Sequence, residues 1–345
     1  MKERTEVHPY NFETGVYRPP SEGGSDSLLI RFTRNCPWNR CTFCGMYKAE
    51  AFQLRSVEEI QGDIDAIARL YRDLKGVSPD QDSGTSVSRA AAAELLRRYP
   101  TLQHHPGFSM VFAWLVSGGK TAFLQDANSL IMKTEALATA LQHLRRTFPC
   151  IRRVTSYVRA KTLAQKSDEK LQIIRRAGLD RLHVGLESGD DEVLGRVRKG
   201  VTGEQHVRAG QKAMRAGFEL SEYWMPGLGG RKRSLQHAEN TAEVLNRINP
   251  HYIRSRPLHP WPGTPLAEQV RSGELSLLTP TETLLEIRKM VKALDVTSRV
   301  CFDHAGNYWK NDLGGHLFSL SYEGYAFPEQ KEEVLALIDE GLRRR

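Results

Sequence analysis

The sequence lacks the features that would place a protein in or beyond a membrane. No apolar run approaches the roughly 20 residues of a membrane-spanning helix, and residues 1–6 contain no apolar segment like that of a secretory signal. The composition, with 40% hydrophobic and 26% charged residues, is ordinary for a globular chain. We therefore expect a cytoplasmic protein that has no membrane partner.

Cysteine is also scarce, and its placement is informative. The chain has five cysteines, an odd number, and two of them, Cys150 and Cys301, stand alone. This excludes a disulfide framework. The other three, Cys36, Cys41 and Cys44, lie within nine residues. In a reducing compartment such a cluster is more often metal-binding or catalytic, and the other ordinary explanation is one disulfide pair with a spare thiol.

The chain contains many residues of both charges, and the positively charged ones are in excess. The net charge is +8 and the isoelectric point is about 9.2, values that permit nucleic acid as a partner. Most Arg and Lys residues are scattered in pairs, however, and only residues 231–233 and 343–345 form local clusters. Such clusters are more often solvated surface, so nucleic acid is the less favoured partner.

Short apolar runs alternate with helical patterns along most of the chain. Gly178 and Gly217 mark predicted helix ends, and Ser56, Thr202 and Thr279 mark predicted helix starts. Strand–helix units in series indicate an α/β fold with a parallel sheet, and their number favours a partial (β/α)6 TIM-like barrel over a closed eight-stranded one. The six predicted strands are residues 27–32, 121–124, 154–157, 181–186, 219–224 and 252–255.

The predicted domain organisation is a single barrel with additions at both ends. Residues 1–26 are expected to be an N-terminal arm, and residues 27–295 the barrel, with an insertion at about residues 75–119. Residues 296–345 are expected to be a C-terminal extension over the barrel, irregular over residues 296–327 before a last helix.

The cysteine cluster follows the first predicted strand, and active-site groups of barrel folds lie at such carboxyl ends. A structural zinc site needs four ligands, but no second cysteine pair and no nearby histidine accompanies Cys36, Cys41 and Cys44. Three thiolates suit a [4Fe–4S] cluster in which one iron lacks a protein ligand. Zinc and unligated thiols stay open as alternatives.

The run from Cys36 to Tyr47, with an aromatic residue before the third cysteine, resembles the radical S-adenosylmethionine (SAM) superfamily. It is most similar to the subgroup of oxygen-independent coproporphyrinogen oxidase and the elongator-like proteins. The resemblance covers roughly residues 15–345. One departure is the CX4CX2C spacing, since the superfamily usually has three residues in the first gap; the extra residue lies within residues 37–40.

The resemblance implies a chemistry and its cofactors. A [4Fe–4S] cluster on the three cysteines would bind SAM at its open iron, and one electron would cleave SAM to methionine and a 5′-deoxyadenosyl radical. That radical would abstract hydrogen from a small-molecule or peptide-like substrate. An electron donor such as flavodoxin or ferredoxin and sensitivity to oxygen are also implied.

The resemblance further implies which side chains contact SAM. Asp126 and Asn128 would hold its amino group, Glu187 its ribose hydroxyls or amino group, and Lys199 its carboxylate. Asp126 and Glu187 have an alternative interpretation as acidic residues at helix N-termini, and Lys199 as a surface cation.

Other candidates lie at strand ends and near the C-terminus. Ser156 ends the third strand and Tyr223 lies near the end of the fifth, so both would face SAM. Asp303, His304 and Tyr308 are candidate catalytic residues toward the substrate, although a structural histidine is the commoner case.

Two rival functions differ in kind from this hypothesis. An RNA-modifying radical SAM enzyme would fit the basic isoelectric point, but it usually needs an added RNA-binding domain. A non-catalytic iron–sulfur or zinc protein would keep the cysteines without needing the SAM-facing residues.

Overall fold

The computed structural model describes residues 8–15, 27–76, 87–311 and 313–343. These residues form two compact units that interleave along the chain. Unit 1 comprises Met1–Asn35, Phe52–Tyr157 and Ile173–Asp180, and unit 2 comprises Cys36–Ala51, Val158–Gln172 and Arg181–Arg345. Most of the expected N-terminal arm lies outside the described residues, and the division at residues 26 and 295 stays a prediction.

Unit 1 is built on three parallel strands. Strand β1 pairs with β4, and β4 pairs with β5, while the short strands β2 and β3 form an antiparallel pair. Two 3-10 turns, Pro100–His104 and Ser129–Ile131, join its helices and strands. The elements are β1 (Leu28–Arg31), β2 (Thr33–Arg34), β3 (Gln53–Leu54), α1 (Val57–Lys75), α2 (Arg89–Arg98), α3 (Pro106–Val116), β4 (Thr121–Gln125), α4 (Thr134–Thr147) and β5 (Arg153–Val158).

Helix α1 illustrates how local signals set the elements of unit 1. Ser56 and Glu59 form the predicted capping box, since each side chain bonds the other residue's backbone N–H. The helix ends at Gly76, whose φ of 63° is left-handed. Its buried face packs against α4 and also against α2 and α3 of the predicted insertion. Residues 77–86 of that insertion lie outside the described residues.

Unit 2 contains four parallel strands in the order β6–β7–β8–β9, with β10 antiparallel to β9. Helix α6 (Asp168–Arg176) is divided between the two units. The other elements are α5 (Ala160–Gln165), β6 (Arg181–Glu187), α7 (Asp191–Arg196), α8 (Gly203–Arg215), β7 (Glu219–Trp224), α9 (Gly230–Ile248), β8 (Tyr252–Ser255), α10 (Pro265–Arg271), α11 (Pro280–Ala293), β9 (Arg299–Cys301), β10 (Tyr325–Ala326) and α12 (Lys331–Arg343).

The six predicted strands are all present, and parallel strands joined by helices confirm the α/β class expected of a partial TIM-like barrel. The capping boxes at Thr202 and Thr279 form, and Gly178 and Gly217 are left-handed, with φ of 113° and 85°. In the described residues, no helix combines the length and apolar character needed to cross a membrane.

The expectation that residues 296–327 are irregular was wrong at two places. Strand β9 continues the parallel pairing beside β8, and β10 pairs back on β9. These strands have three and two residues. Such lengths are too short to produce a recognisable alternation of apolar and polar residues.

The two faces of the unit 2 sheet differ in chemistry because successive side chains of a strand point to opposite faces. One face carries mainly apolar residues and packs against helices, as Trp224 does against His237 of α9. Glu222 is the charged exception on that face. The opposite face carries polar residues at alternate positions of three neighbouring strands: Arg181, His183, Ser221, Tyr223, Tyr252 and Arg254.

Candidate functional site

The loop that carries the three cysteines, residues 36–51, belongs to unit 2. Backbone hydrogen bonds hold it at Thr42, whose N–H donates to the Val197 carbonyl (3.0 Å) and whose carbonyl accepts from the Leu266 N–H (3.0 Å). The side chain of Phe43 packs against a buried apolar cluster that includes Val197 and Leu266. The segment between Cys41 and Cys44 is therefore fixed to the body of the unit.

The thiols of Cys36, Cys41 and Cys44 are free and half-buried. Burial raises the pKa of the Cys41 thiol, an effect that the charges of Glu187, Cys36 and Cys44 strengthen and that of Lys199 opposes. The three thiols thus share one electrostatic environment. In the described parts of the chain, no three Cys, His, Asp or Glu side chains converge on the position of a single metal ion.

The donor set fits a [4Fe–4S] cluster with one open iron. Such a cluster is held by thiolates on separate irons, so its ligands do not need to converge on one point. Three thiols on one loop supply three of the four iron ligands and leave the fourth to a small molecule.

Two cations lie close to the cysteines, and the sequence analysis missed one of them. Burial lowers the pKa of Arg159, while the charges of Cys41 and Cys36 oppose this effect. Arg159 Nη2 also donates to the carbonyl of Lys199 (3.0 Å). The sequence signal that could have identified Arg159 was its position directly after β5, because active-site groups collect at the carboxyl ends of barrel strands.

Lys199 and Glu187 form an ion pair of 2.8 Å between Nζ and Oε1, with side chains that are 13% and 12% exposed. Burial opposes the charge on Lys199, but Glu187 and Cys41 outweigh it and raise the pKa of the lysine. The structure therefore brings together the cysteines and two of the predicted SAM-contacting residues. The interpretation of Lys199 as a solvated surface cation does not agree with this burial.

The backbone around Glu187 is unusual. Its φ is 64°, a left-handed value that is uncommon outside glycine, and the pairing of β6 with β7 is irregular between Gly185 and Glu187. A Cβ atom on Gly185 would lie 2.2 Å from Glu187 Oε1 and 2.9 Å from Lys199 Nζ. The glycine thus leaves the space that the ion pair occupies. The left-handed backbone of Glu187 is a strained conformation, and such strain is common at functional sites.

The sequence analysis also missed two further buried groups near Lys199, the side chains of Glu222 and His206. Both carboxylate oxygens of Glu222 and both ring nitrogens of His206 lack hydrogen-bond partners. Burial raises the pKa of Glu222 well above its ordinary value; Glu187 adds to this effect and Lys199 opposes it. A glutamate between the apolar positions Leu220 and Trp224 was the sequence signal for an unusual carboxyl group.

The raised pKa of Glu222 predicts that stability falls as pH rises. Below about pH 4.5 the carboxyl is protonated in both states, whereas at higher pH the unfolded chain releases a proton that the folded chain keeps. We expect Glu222→Gln, which cannot ionise, to increase the free energy of unfolding at pH 8 and to flatten its decline between pH 5 and 8. Denaturant unfolding at several pH values measures both. Glu243→Gln, at an exposed site on α9, is the control; equal profiles for the two variants would contradict this expectation.

Tyr223 and the three candidate catalytic residues have partners within unit 2. The Tyr223 hydroxyl lies 3.5 Å from His183 Nδ1, and Asp303 accepts from the buried Arg254 Nη1 (3.0 Å). His304 Nδ1 accepts from a backbone N–H, and burial, followed by the charge of Arg256, lowers the pKa of His304 to about 4. Tyr308 is 57% exposed, and its ring stacks on that of Trp309. Roles for these residues stay predictions.

Asp126, Asn128 and Ser156 belong to unit 1. Asp126 Oδ2 accepts from Arg31 Nε (2.8 Å) and from the N–H of Asn35 (3.0 Å), and its Oδ1 is buried without a hydrogen-bond partner. Asn128 is buried, and Ser156 Oγ donates to the carbonyl of Tyr157 (3.1 Å). Of these three residues, Asp126 is the one with a buried oxygen that lacks a hydrogen-bond partner and can accept a further hydrogen bond.

Comparison with known families bears directly on this site. A family model described as the Radical SAM superfamily matches residues 111–245, from α3 to α9. Residues 111–245 of this chain are thus similar to a radical SAM domain. The match agrees with the superfamily predicted from the sequence, a superfamily that implies a [4Fe–4S] cluster and SAM as cofactors. The matched residues begin after the cysteine loop, so the CX4CX2C ligand set itself stays a prediction.

One curated relative of the radical SAM domain is 4′-phospho-dehydrooxetanocin synthase of Priestia megaterium. It is 24% identical over 233 residues, which cover 65% of this chain and 27% of that protein. The chain therefore spans about a quarter of the length of the curated relative it matches.

Solved structures also align with the chain. The Elp3 protein of the archaeon Methanocaldococcus infernus aligns with a TM-score of 0.48 at 15% identity, covering 71% of this chain and 60% of that one. Coproporphyrinogen III oxidase (HemN) of Escherichia coli aligns with a TM-score of 0.45 at 15% identity, covering 77% and 51%.

Proposed function

We propose that this protein cleaves SAM reductively at a [4Fe–4S] cluster bound by Cys36, Cys41 and Cys44. The radical produced would abstract hydrogen from a small-molecule or peptide-like substrate, with flavodoxin or ferredoxin as electron donor. The single observation that carries the proposal is the placement of three thiols on one loop that is hydrogen-bonded to Val197 and Arg198, beside the cations Arg159 and Lys199.

When bound, the cluster supplies the electron that splits SAM into methionine and the 5′-deoxyadenosyl radical. The protein's own residues provide position and charge. Cys36, Cys41 and Cys44 would hold the cluster through three thiolates, and the backbone bonds at Thr42 keep the loop in place. Arg159 and Lys199 offset the negative charge that gathers at the thiolates, because opposite charges a few ångströms apart attract strongly when partly buried.

Glu187 and Lys199 are proposed to bind the polar groups of SAM. A carboxylate is a suitable partner for ribose hydroxyls or for an ammonium group, and an ammonium is a suitable partner for a carboxylate. The existing ion pair holds both side chains in place at a partly buried position. Each of them can therefore bind SAM without first losing side-chain freedom.

The test of the proposed function is reconstitution without oxygen. We expect about four irons per chain and, after reduction, conversion of SAM to 5′-deoxyadenosine, measured by chromatography and mass spectrometry. Incubating the reduced enzyme with deuterated cell extract and following deuterium into 5′-deoxyadenosine would then identify the substrate fraction. One zinc ion per chain on four thiolates, or no 5′-deoxyadenosine from a fully loaded cluster, would refute the proposal.

Replacing Lys199 by Met should weaken SAM binding more than it weakens folding. A hydrogen bond to a charged group contributes about 1.5–3 kcal/mol, so the dissociation constant for SAM should rise about 10- to 100-fold. Anaerobic calorimetry on the reconstituted protein measures it. Lys199→Arg should restore part of the affinity, and Lys232→Met, at an exposed position of α9, should leave it unchanged. Unaltered affinity in Lys199→Met would mean that the lysine does not contact SAM.

A further inference from the structure

The long first gap of the cysteine motif contains Trp38, whose contacts reach well outside the motif. Its indole Nε1–H donates to the carbonyl of Arg198 (2.8 Å), and its side chain is half-buried. Arg198 immediately precedes Lys199, the partner of Glu187. One hydrogen bond therefore connects the cysteine loop to the turn that carries the buried lysine.

The turn at residues 198–200 has a shape that accepts this ring. Arg198 and Gly200 both have left-handed backbones, with φ of 53° and 77°. A Cβ atom on Gly200 would lie 2.4 Å from Trp38 Cζ2 and 2.8 Å from Cη2, so any side chain there would displace the indole. Two independent features therefore require glycine at this position, the left-handed backbone angle and the close approach of the ring.

Cations surround the same ring. The Arg159 guanidinium carbon lies 4.6 Å from the ring centroid of Trp38, and that of Arg40 lies 5.1 Å away. Both distances are within the range of cation–π attraction. Arg159 is the residue whose charge interacts with Cys36 and Cys41. Trp38 therefore contacts the cation that lies beside the thiols as well as the turn that precedes Lys199.

We propose that Trp38 is a positioning residue that docks the cysteine loop on the 198–200 turn and holds Arg159 beside Cys36 and Cys41. The four-residue gap between the first two cysteines then has a physical role, because it supplies the residue that makes this contact. The inference rests on the proposed function for its electrostatic part, whereas the docking of the loop is a property of the protein without any cluster.

Docking of the cysteine loop and placement of Arg159 have different measurable consequences. Loss of docking should loosen the loop, which is fixed at Thr42 by a bond from its N–H to Val197. Loss of the Arg159 contact should move a cation away from the thiolates. Because a nearby positive charge favours the more reduced and more negative state of a redox centre, its loss should lower the midpoint potential.

The experiment compares Trp38→Ala and Gly200→Ala with Arg159→Met and with Trp309→Phe. Trp309 is a matched control, since its Nε1–H also donates to a backbone carbonyl, that of Pro280. Amide hydrogen exchange of the loop in cluster-free protein measures docking. Redox titration of the reconstituted protein, followed by electron paramagnetic resonance, measures the potential, and thermal unfolding reports general damage.

We expect faster exchange at Thr42, by about tenfold or more, in Trp38→Ala and Gly200→Ala, with no change in Arg159→Met or Trp309→Phe. We expect a lower midpoint potential in Trp38→Ala, Gly200→Ala and Arg159→Met, and an unchanged midpoint potential in Trp309→Phe. Unaltered exchange in both Trp38→Ala and Gly200→Ala would overturn the docking, and an unaltered potential in Arg159→Met would overturn the electrostatic part. If even the unmodified protein binds no iron, the proposed function fails, and hydrogen exchange still decides whether Trp38 docks the loop.

Discussion

Replacement of any one of Cys36, Cys41 or Cys44 by alanine should abolish formation of 5′-deoxyadenosine from SAM. The loop offers three thiols and no fourth ligand, so each loss leaves two thiolates to hold a cluster that normally takes three or four. The effect should exceed the roughly 10- to 100-fold loss that follows removal of a mere outer-shell partner of a metal site. Iron content and 5′-deoxyadenosine yield, both measured after anaerobic reconstitution, report the result.

The chain provides its own cysteine controls. Cys301 lies in β9, where burial raises the pKa of its thiol to about 12, so it cannot supply a thiolate near neutral pH. Cys150 belongs to unit 1 and lies outside the cysteine loop. We expect Cys150→Ala and Cys301→Ala to keep the full iron content. If either variant lost as much iron and activity as the loop variants, the ligands would have been wrongly assigned.

The elements that could be predicted from the sequence are those set by local chemistry. Strand β7 is Glu219–Trp224, as its composition predicted, and α8 begins at the capping box of Thr202 because the box involves only adjacent residues. The assignment of the cysteine ligands uses the same kind of local information, since all three thiols lie in one short segment, and it stays a prediction.

The features that could not be predicted depend on tertiary contacts. Arg159 is more than 100 residues from the cysteines in sequence, and the only signal for it was its place after a strand. The docking of Trp38 depends on the left-handed backbone of Arg198 and Gly200. The ion pair of Glu187 depends on the irregularity of β6. In the last two cases the cause is a backbone conformation that folding imposes, and local propensity does not specify it.

His206 should make this protein unusually sensitive to acid. It lies on α8 with no exposed surface, and neither ring nitrogen has a hydrogen-bond partner. Burial, followed by the positive charges of Lys199 and Arg159, lowers the pKa of His206 to about 3. All three causes oppose a positive charge on the imidazole, so the folded protein keeps this side chain neutral over most of the acid range.

The sign of the effect follows from proton binding. The unfolded chain takes up a proton near the ordinary histidine pKa of about 6.5, whereas the folded chain does so only near pH 3. Above about pH 6.5 neither state is protonated at this site and stability is unaffected. As the pH falls below that value, the unfolded state is progressively favoured, and the loss reaches on the order of 4 kcal/mol by about pH 3. Glu222 has the opposite dependence, so the combined cost of the two buried groups is lowest at mildly acid pH.

His206→Leu should remove most of this dependence on pH. The leucine cannot be protonated, and it also replaces two unpartnered nitrogens with apolar atoms in a buried site. We therefore expect a higher free energy of unfolding at pH 5 than in the unmodified protein, and a smaller slope between pH 6.5 and 4, both from denaturant unfolding. His104→Leu, at an exposed position, should retain the original slope. A slope that is the same in His206→Leu as in the unmodified protein would show that acid sensitivity arises from other groups and that His206 is protonated without cost.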